Sequence, residues 1–114
     1  MVQYSTSLDD VLSAIADPTR RAIIGQLALG PARLSDIAAP FPMSLTGFCK
    51  HVKILEQAGL VDRTRVGREN TLALTPEPLR EVTRWTLAYE PFWNARLDRL
   101  EGFFAAKAKP EKLK

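Results

Sequence analysis

The pattern of apolar residues changes abruptly in the middle of this chain. Up to Gly59 it repeats at helical spacing; from Leu60 to Leu74 it becomes short, β-rich and partly alternating. Any fold for the chain must therefore place several amphipathic helices before a single hairpin. Leu8, Val11, Leu12 and Ile15 predict a first short helix. Asp17-Pro18 starts a second, with Asp17 as the cap and Pro18 at the first helical position, where a missing N–H costs nothing. Ile23, Ile24, Leu27 and Ala28 are its expected buried stripe, and Gly30-Pro31 stops it. Leu34, Ile37 and Ala38 centre a third helix, which ends before Ala39-Pro40-Phe41-Pro42 because each proline turns its predecessor away from helical angles.

Ser44 is a good cap for a fourth helix whose inner face is expected to be Leu45, Phe48, Val52 and Leu55. Gly59 closes it, and Leu60 is placed to fold back onto Leu55. The stretches 60–66 and 71–74 read as two strands, joined by a turn at Gly67-Arg68-Glu69-Asn70. Thr75-Pro76 is expected to open a last helical region, broken or kinked at Glu90-Pro91. Beyond it Trp93, Leu97, Leu100 and Phe104 recur at i, i+4, i+7 and i+11. One domain over residues 1–106 and a lysine-rich flexible tail over 107–114 follow from this reading.

With 114 residues the chain suits one ordinary core, and 46% apolar content argues against disorder. Its apolar runs are far shorter than the roughly 20 residues that span a bilayer. The first five residues carry neither a basic start nor an apolar stretch, so no signal peptide is expected. Cys49 stands alone, which excludes an internal disulfide and a cysteine zinc framework. A cytoplasmic protein is the expectation. The formal charge is only +3, but residues 41–68 hold five Lys and Arg against two Asp and Glu, whereas residues 1–40 hold three against four. The middle of the chain carries the basic bias, which favours a polyanionic partner.

A run of helices followed by a hairpin is the order of a winged helix-turn-helix, mainly α with a small β-hairpin and about five helices in all. In that arrangement the fourth helix lies in the major groove of DNA. Turning its apolar side inward leaves Thr46, Gly47 and Lys50 outward, with Cys49, His51 and Lys53 partly so. Gly47 costs about 1 kcal/mol in a helix interior relative to alanine, and its bare backbone suits a close approach to a base or phosphate. The hairpin adds Arg63 and Arg65, two apart on one strand face, and Arg68 at the tip. Together these extend a basic strip from Lys50 and Lys53. Leu79, Val82, Trp85, Tyr89, Phe92, Trp93, Leu97, Leu100 and Phe104 exceed what one small core needs, and both tryptophans fall among them. Trp85, Tyr89, Trp93, Leu97, Leu100 and Phe104, with Leu8 and Leu12 of the first helix, are the expected homodimer interface.

The stretch Ala16-Asp17-Pro18-Thr19-Arg20-Arg21-Ala22-Ile23-Ile24 resembles the opening signature of ArsR-type repressors. So do residues 43–61, with their Lys50-His51-Val52-Lys53-Ile54-Leu55 helix, the wing 63–69, and the closing segment 93–100; the resemblance covers roughly residues 8–104. It implies a dimeric bacterial repressor on an imperfect palindrome, with DNA contacts from Ser44, Thr46, Gly47, Cys49, Lys50 and His51 and with wing arginines on the DNA backbone. The chain departs from metal-sensing members: Arg33-Leu34-Ser35-Asp36-Ile37-Ala38 holds no cysteine or histidine, and one Cys and one His per chain do not make a transition-metal site. No metal and no cofactor are expected, and the sequence does not identify a small-molecule effector. Cys49 reads either as a small side chain near DNA or as a redox switch whose oxidation would crowd that face. No phosphate loop and no nucleophile–base pair is present, so an enzyme is not expected. The rival readings are a winged helix that docks an acidic protein partner and a nonspecific architectural DNA binder.

Overall fold

The structure, a computed structural model, describes residues 7–112. In chain order its elements are α1 (Leu8–Ile15), α2 (Pro18–Leu27), β1 (Ala32–Arg33), α3 (Leu34–Ala38), α4 (Leu45–Gln57), β2 (Val61–Val66), β3 (Glu69–Leu74), α5 (Leu79–Leu87) and α6 (Glu90–Lys112). The chain divides into two compact units, the first ending at Val82 and the second beginning at Thr83.

Local chemistry sets the helix limits in the first unit. Ser7 accepts from the Asp10 N–H, Asp17 from the Arg20 N–H at 3.1 Å, and Ser44 from the Gly47 N–H at 3.0 Å, so each helix start has one of its orphan donors satisfied. The end of α4 is a Schellman closure. Gly59 takes φ +75°, its N–H bonds the Glu56 carbonyl, and the Leu60 N–H bonds the Leu55 carbonyl, both at 2.9 Å. That closure folds Leu60 onto Leu55, and both are fully buried.

The core consists of Val11 and Ala14 from α1, Ile23 and Leu27 from α2, Ile37 from α3, Phe48, Val52 and Leu55 from α4, with Ala58, Leu60, Val61 and Leu72. Among the described residues it contains no buried polar or charged side chain. Phe41 holds the proline-rich loop before α4 in place by lying against Phe48, ring centroids 5.2 Å apart. Leu79 and Val82, at the start of α5, also pack against this core.

Several features differ from the sequence expectation. Leu45 is not part of the inner face: it is 58% exposed. At about 100° per residue it lies about 60° around the helix from Phe48, on the Cys49 side, and no core element covers the first turn there. Ala28 is likewise exposed rather than buried. The hairpin has a third strand: β1 pairs with β3 (Ala32↔Leu72, Arg33↔Thr71), giving the order β1-β3-β2. Two residues are too few to display an alternating pattern. The turn is also tighter than expected. Val66 pairs with Glu69, which leaves only Gly67 and Arg68 in the loop. Gly67 has φ +64° and Arg68 does not have a positive φ, the signature of a type II′ turn with glycine at its first central position.

Thr75 and Pro76 do not open a helix. The Thr75 N–H bonds the Leu60 carbonyl at 2.7 Å, and α5 starts only at Leu79, after Pro78. Pro78 disfavours helical angles at Glu77 and so delays the start. The expected break near Pro91 falls at Ala88–Tyr89, and Pro91 lies in the first turn of α6, where its missing N–H has no helical partner to lose. This split makes six helices among the described residues instead of about five. The expected boundary at 106 falls inside α6, whose backbone is helical to Lys112. Residues 1–6, where no signal peptide was expected, and 113–114 of the expected tail lie outside the described residues. In the second unit Trp85, Tyr89 and Phe92 make successive ring contacts with centroids 5.7 and 6.2 Å apart. Among the described residues no helix is long and apolar enough to cross a membrane.

The exposed and buried members of the expected α4 stripe should therefore respond differently to truncation. Phe48→Ala is expected to cost about 3–5 kcal/mol, and Leu45→Ala less than about 0.5 kcal/mol. Urea unfolding followed by circular dichroism measures both.

Candidate nucleic-acid interface

The helix pair α3–α4 and the β2–β3 hairpin carry most of the residues singled out from the sequence. On α4, Thr46, Lys50 and Lys53 are exposed, Gly47 and Cys49 are half-buried, and Ser44 is exposed at the cap. Leu45, Thr46, Cys49, Lys50 and Lys53 line one open depression of about 380 Å³. The outward face expected of α4 therefore exists, with Leu45 added to it. Gly47 has a second reason to be small: a Cβ there would meet Ser44 Oγ at 3.3 Å, crowding the hydroxyl that caps the helix.

His51 does not share that face. Its Nδ1 lies 3.0 Å from Arg20 Nη1, and its side chain is 24% exposed. A guanidinium can only donate, so Nδ1 must accept and the ring hydrogen sits on Nε2. Arg20 also donates from Nε to the Ala14 carbonyl at 2.6 Å and from Nη2 to the Ser13 carbonyl at 3.2 Å, while Arg21 donates to the Ile15 carbonyl at 2.7 Å. These two arginines satisfy the carbonyl end of α1, where a positive charge also suits the helix dipole. The Asp-Pro-Thr-Arg-Arg run is thus a corner piece: Asp17 starts α2, Arg20 and Arg21 finish α1, and Arg20 ties both to α4 through His51. Arg20 was absent from the sequence-derived site because its role depends on a residue 31 positions away.

Arg63 is also committed within the fold. It makes a two-pronged contact with Glu56, Nε–Oε2 at 3.2 Å and Nη2–Oε1 at 3.0 Å, and the two side chains are 28% and 29% exposed. The Glu56 hydrogen bonds raise the Arg63 pKa above its ordinary value against the cost of desolvation. This pair anchors the base of the wing to the end of α4. A second exposed link joins Arg33 to Glu69 at 2.9 Å and to Asp36 at 3.3 Å, tying α3 to the wing. Arg65 bonds the Gly67 carbonyl at 3.1 Å at the wing tip, and Arg68 is exposed in the turn itself.

Leu8 and Leu12 of α1 are half-buried. Trp85, Tyr89, Trp93, Leu97, Leu100 and Phe104 are between 39% and 60% exposed, and so are Leu87 and Phe103, which the sequence reading passed over. Among the described residues no three of His, Cys, Asp and Glu come together as a metal site would require.

A short helix, a turn and a second helix with one face free, followed by a β-hairpin wing, define a winged helix-turn-helix DNA-binding domain. Residues 15–64, from the end of α1 into β2, match a family described as a helix-turn-helix domain. The chain is 37% identical over 91 residues to the HTH-type transcriptional regulator Rv2034 of Mycobacterium tuberculosis, covering 80% of this chain and 82% of that protein. It is 33% identical over 82 residues to the transcriptional repressor SdpR of Bacillus subtilis, covering 72% and 91%. The crystal structure of an ArsR family transcriptional regulator, RHA00566, superposes with a TM-score of 0.73 at 40% identity, covering 82% of this chain and 97% of that one. The chain belongs to the ArsR family of helix-turn-helix transcriptional regulators. It is a DNA-binding regulator of transcription and not an enzyme.

Asp17 gives this corner a pH dependence. The Arg20 N–H and then the Arg20 charge hold its carboxyl below the ordinary carboxylate value against desolvation. A lowered folded pKa adds stability that is present above the unfolded pKa and lost as pH falls through the folded one. Asp17→Asn retains a capping oxygen but cannot titrate. The loss of stability between about pH 6 and about pH 3 should therefore be smaller in this variant than in the parent, measured by urea unfolding at each pH.

Proposed function

We propose that this regulator is a repressor that binds a palindromic operator in bacterial promoter DNA as a homodimer, acting in the cytoplasm on nucleoid DNA. The observation that carries the reading is the free face of α4, where Thr46, Lys50 and Lys53 stand exposed while Phe48, Val52 and Leu55 are buried. A helix so oriented can enter a major groove, offering Thr46 and Lys50 to base edges and Lys53 to phosphate. Ser44 and Gly47 bring the start of the helix close to the duplex, and Cys49 contributes a small side chain beside them. Arg68 at the wing tip, with Arg65 behind it, extends the contact to the backbone. Arg63 and the Nδ1 of His51 are occupied within the fold and hold the reading elements in place. Repression is the activity named for SdpR, which this chain resembles.

Dimer formation is supported by the apolar surface of the C-terminal helices. An isolated small protein rarely leaves so many large side chains half-exposed along one segment. In the proposed dimer Trp85, Tyr89, Trp93, Leu97, Leu100 and Phe104, with Leu8 and Leu12, meet a second copy and set the two α4 helices about one DNA turn apart, roughly 34–36 Å.

Fluorescence anisotropy with a duplex selected by the protein from a random library tests this reading. About six phosphate contacts should give a log–log salt slope near −5, and random competitor DNA should not displace the duplex at equal concentration. A salt slope near zero, or equal competition by random DNA, would favour an acidic protein partner or a nonspecific binder instead. Lys50→Ala and Arg68→Ala should each weaken binding about tenfold while leaving the dimer intact by sedimentation. Leu97→Glu or Leu100→Glu should give monomers first and lose operator binding as a consequence.

A further inference from the structure

We infer that Leu45 is a specificity-determining residue that reads the 5-methyl group of a thymine in each operator half-site. The inference rests on the DNA-binding reading above and adds a base preference to it. Leu45 is the first residue of α4, immediately after a cap closed by the 3.0 Å bond from the Gly47 N–H to Ser44 Oγ, so its backbone is fixed. It is 58% exposed and takes no part in the core. A single exposed leucine needs no explanation. This one, however, shares a depression of about 380 Å³ with Thr46, Cys49, Lys50 and Lys53. The lining thus combines an apolar floor (Leu45, Cys49 and the methyl of Thr46) with two cations and no acidic group.

That combination fits the edge of a base pair in a duplex. The lysines match phosphates or the O6 and N7 acceptors of guanine, and the floor requires an apolar atom. In the major groove only thymine presents one, its 5-methyl group, beside its O4 acceptor. An uncharged small molecule would match the floor but leave both ammonium groups without counter-charge.

The experiment uses the wild-type full chain and a duplex selected from a random-sequence library. Each half-site thymine is replaced in turn by deoxyuridine, which removes the methyl and keeps the pairing and the O4 acceptor. One thymine per half-site should lose about fourfold in affinity, the value of one buried methyl-sized group. Leu45→Ala, which removes the contact from both half-sites of the dimer, should bind the thymine duplex about sixteenfold more weakly, the square of that factor, and be indifferent to the same replacement.

Several results would overturn the inference while leaving specific, salt-dependent DNA binding intact. These are a consensus without an invariant thymine in each half-site, no loss at any deoxyuridine, or unchanged uridine sensitivity in Leu45→Ala. If the protein selects no duplex over random DNA, the DNA-binding reading itself fails and takes this inference with it. The variant is suited to the test because its removal is expected to leave stability nearly unchanged.

Discussion

A helix can hold its lysines out to a partner only if its opposite face is locked, and in this protein the lock is the stripe Phe48, Val52 and Leu55. All three are at most 1% exposed, and they pack with Ile23 and Leu27 of α2 and with Leu60 and Leu72 of the sheet region. Burial of three such side chains contributes on the order of 5–9 kcal/mol, comparable with the whole stability of a small domain. Rotating α4 by a third of a turn would bury a lysine and expose a phenylalanine together. The orientation of the reading face is therefore set by the core and not by the surface charges that use it.

Polar contacts refine that orientation without driving it. Arg20 gathers the end of α1 and His51 of α4 into one corner, and Arg63 with Glu56 fixes the hairpin to the far end of α4. One pins the middle residue of the helix and the other its last turn, so α4 is braced at its centre and at its C-terminal end. Arg65 and Arg68, by contrast, lie in and beside the II′ turn, where an added charge costs the fold little. Arg20 and Arg63 thus tie together elements distant in sequence, whereas Arg65 bonds only the Gly67 carbonyl of its own turn.

Much of this was legible in the sequence where the cause is local. Asp17-Pro18, Ser44 and Gly59 act within four residues of where they stand, so the caps and stops could be read directly. The Leu55–Leu60 closure and the core side of Phe48 and Val52 could be read for the same reason. What escaped depends on distant partners. Nothing near Arg63 signals that Glu56 will claim it, and nothing near His51 points to Arg20. Strand β1 is two residues long and exists only because β3 offers it an edge. Leu45 satisfied the helical spacing of the stripe, yet spacing alone does not say where the core ends. That boundary decided whether the leucine packs inside or joins the reading face.

The central claim, that α4 presents its lysine side to a duplex, is most directly measured by acetylating the protein lightly and quantifying each lysine by mass spectrometry, with and without bound operator DNA. The account predicts that Lys50 and Lys53, both exposed, react readily in the free protein and are strongly protected by the duplex. Lys50 and Lys53 reacting at the same rate with and without saturating operator would contradict it.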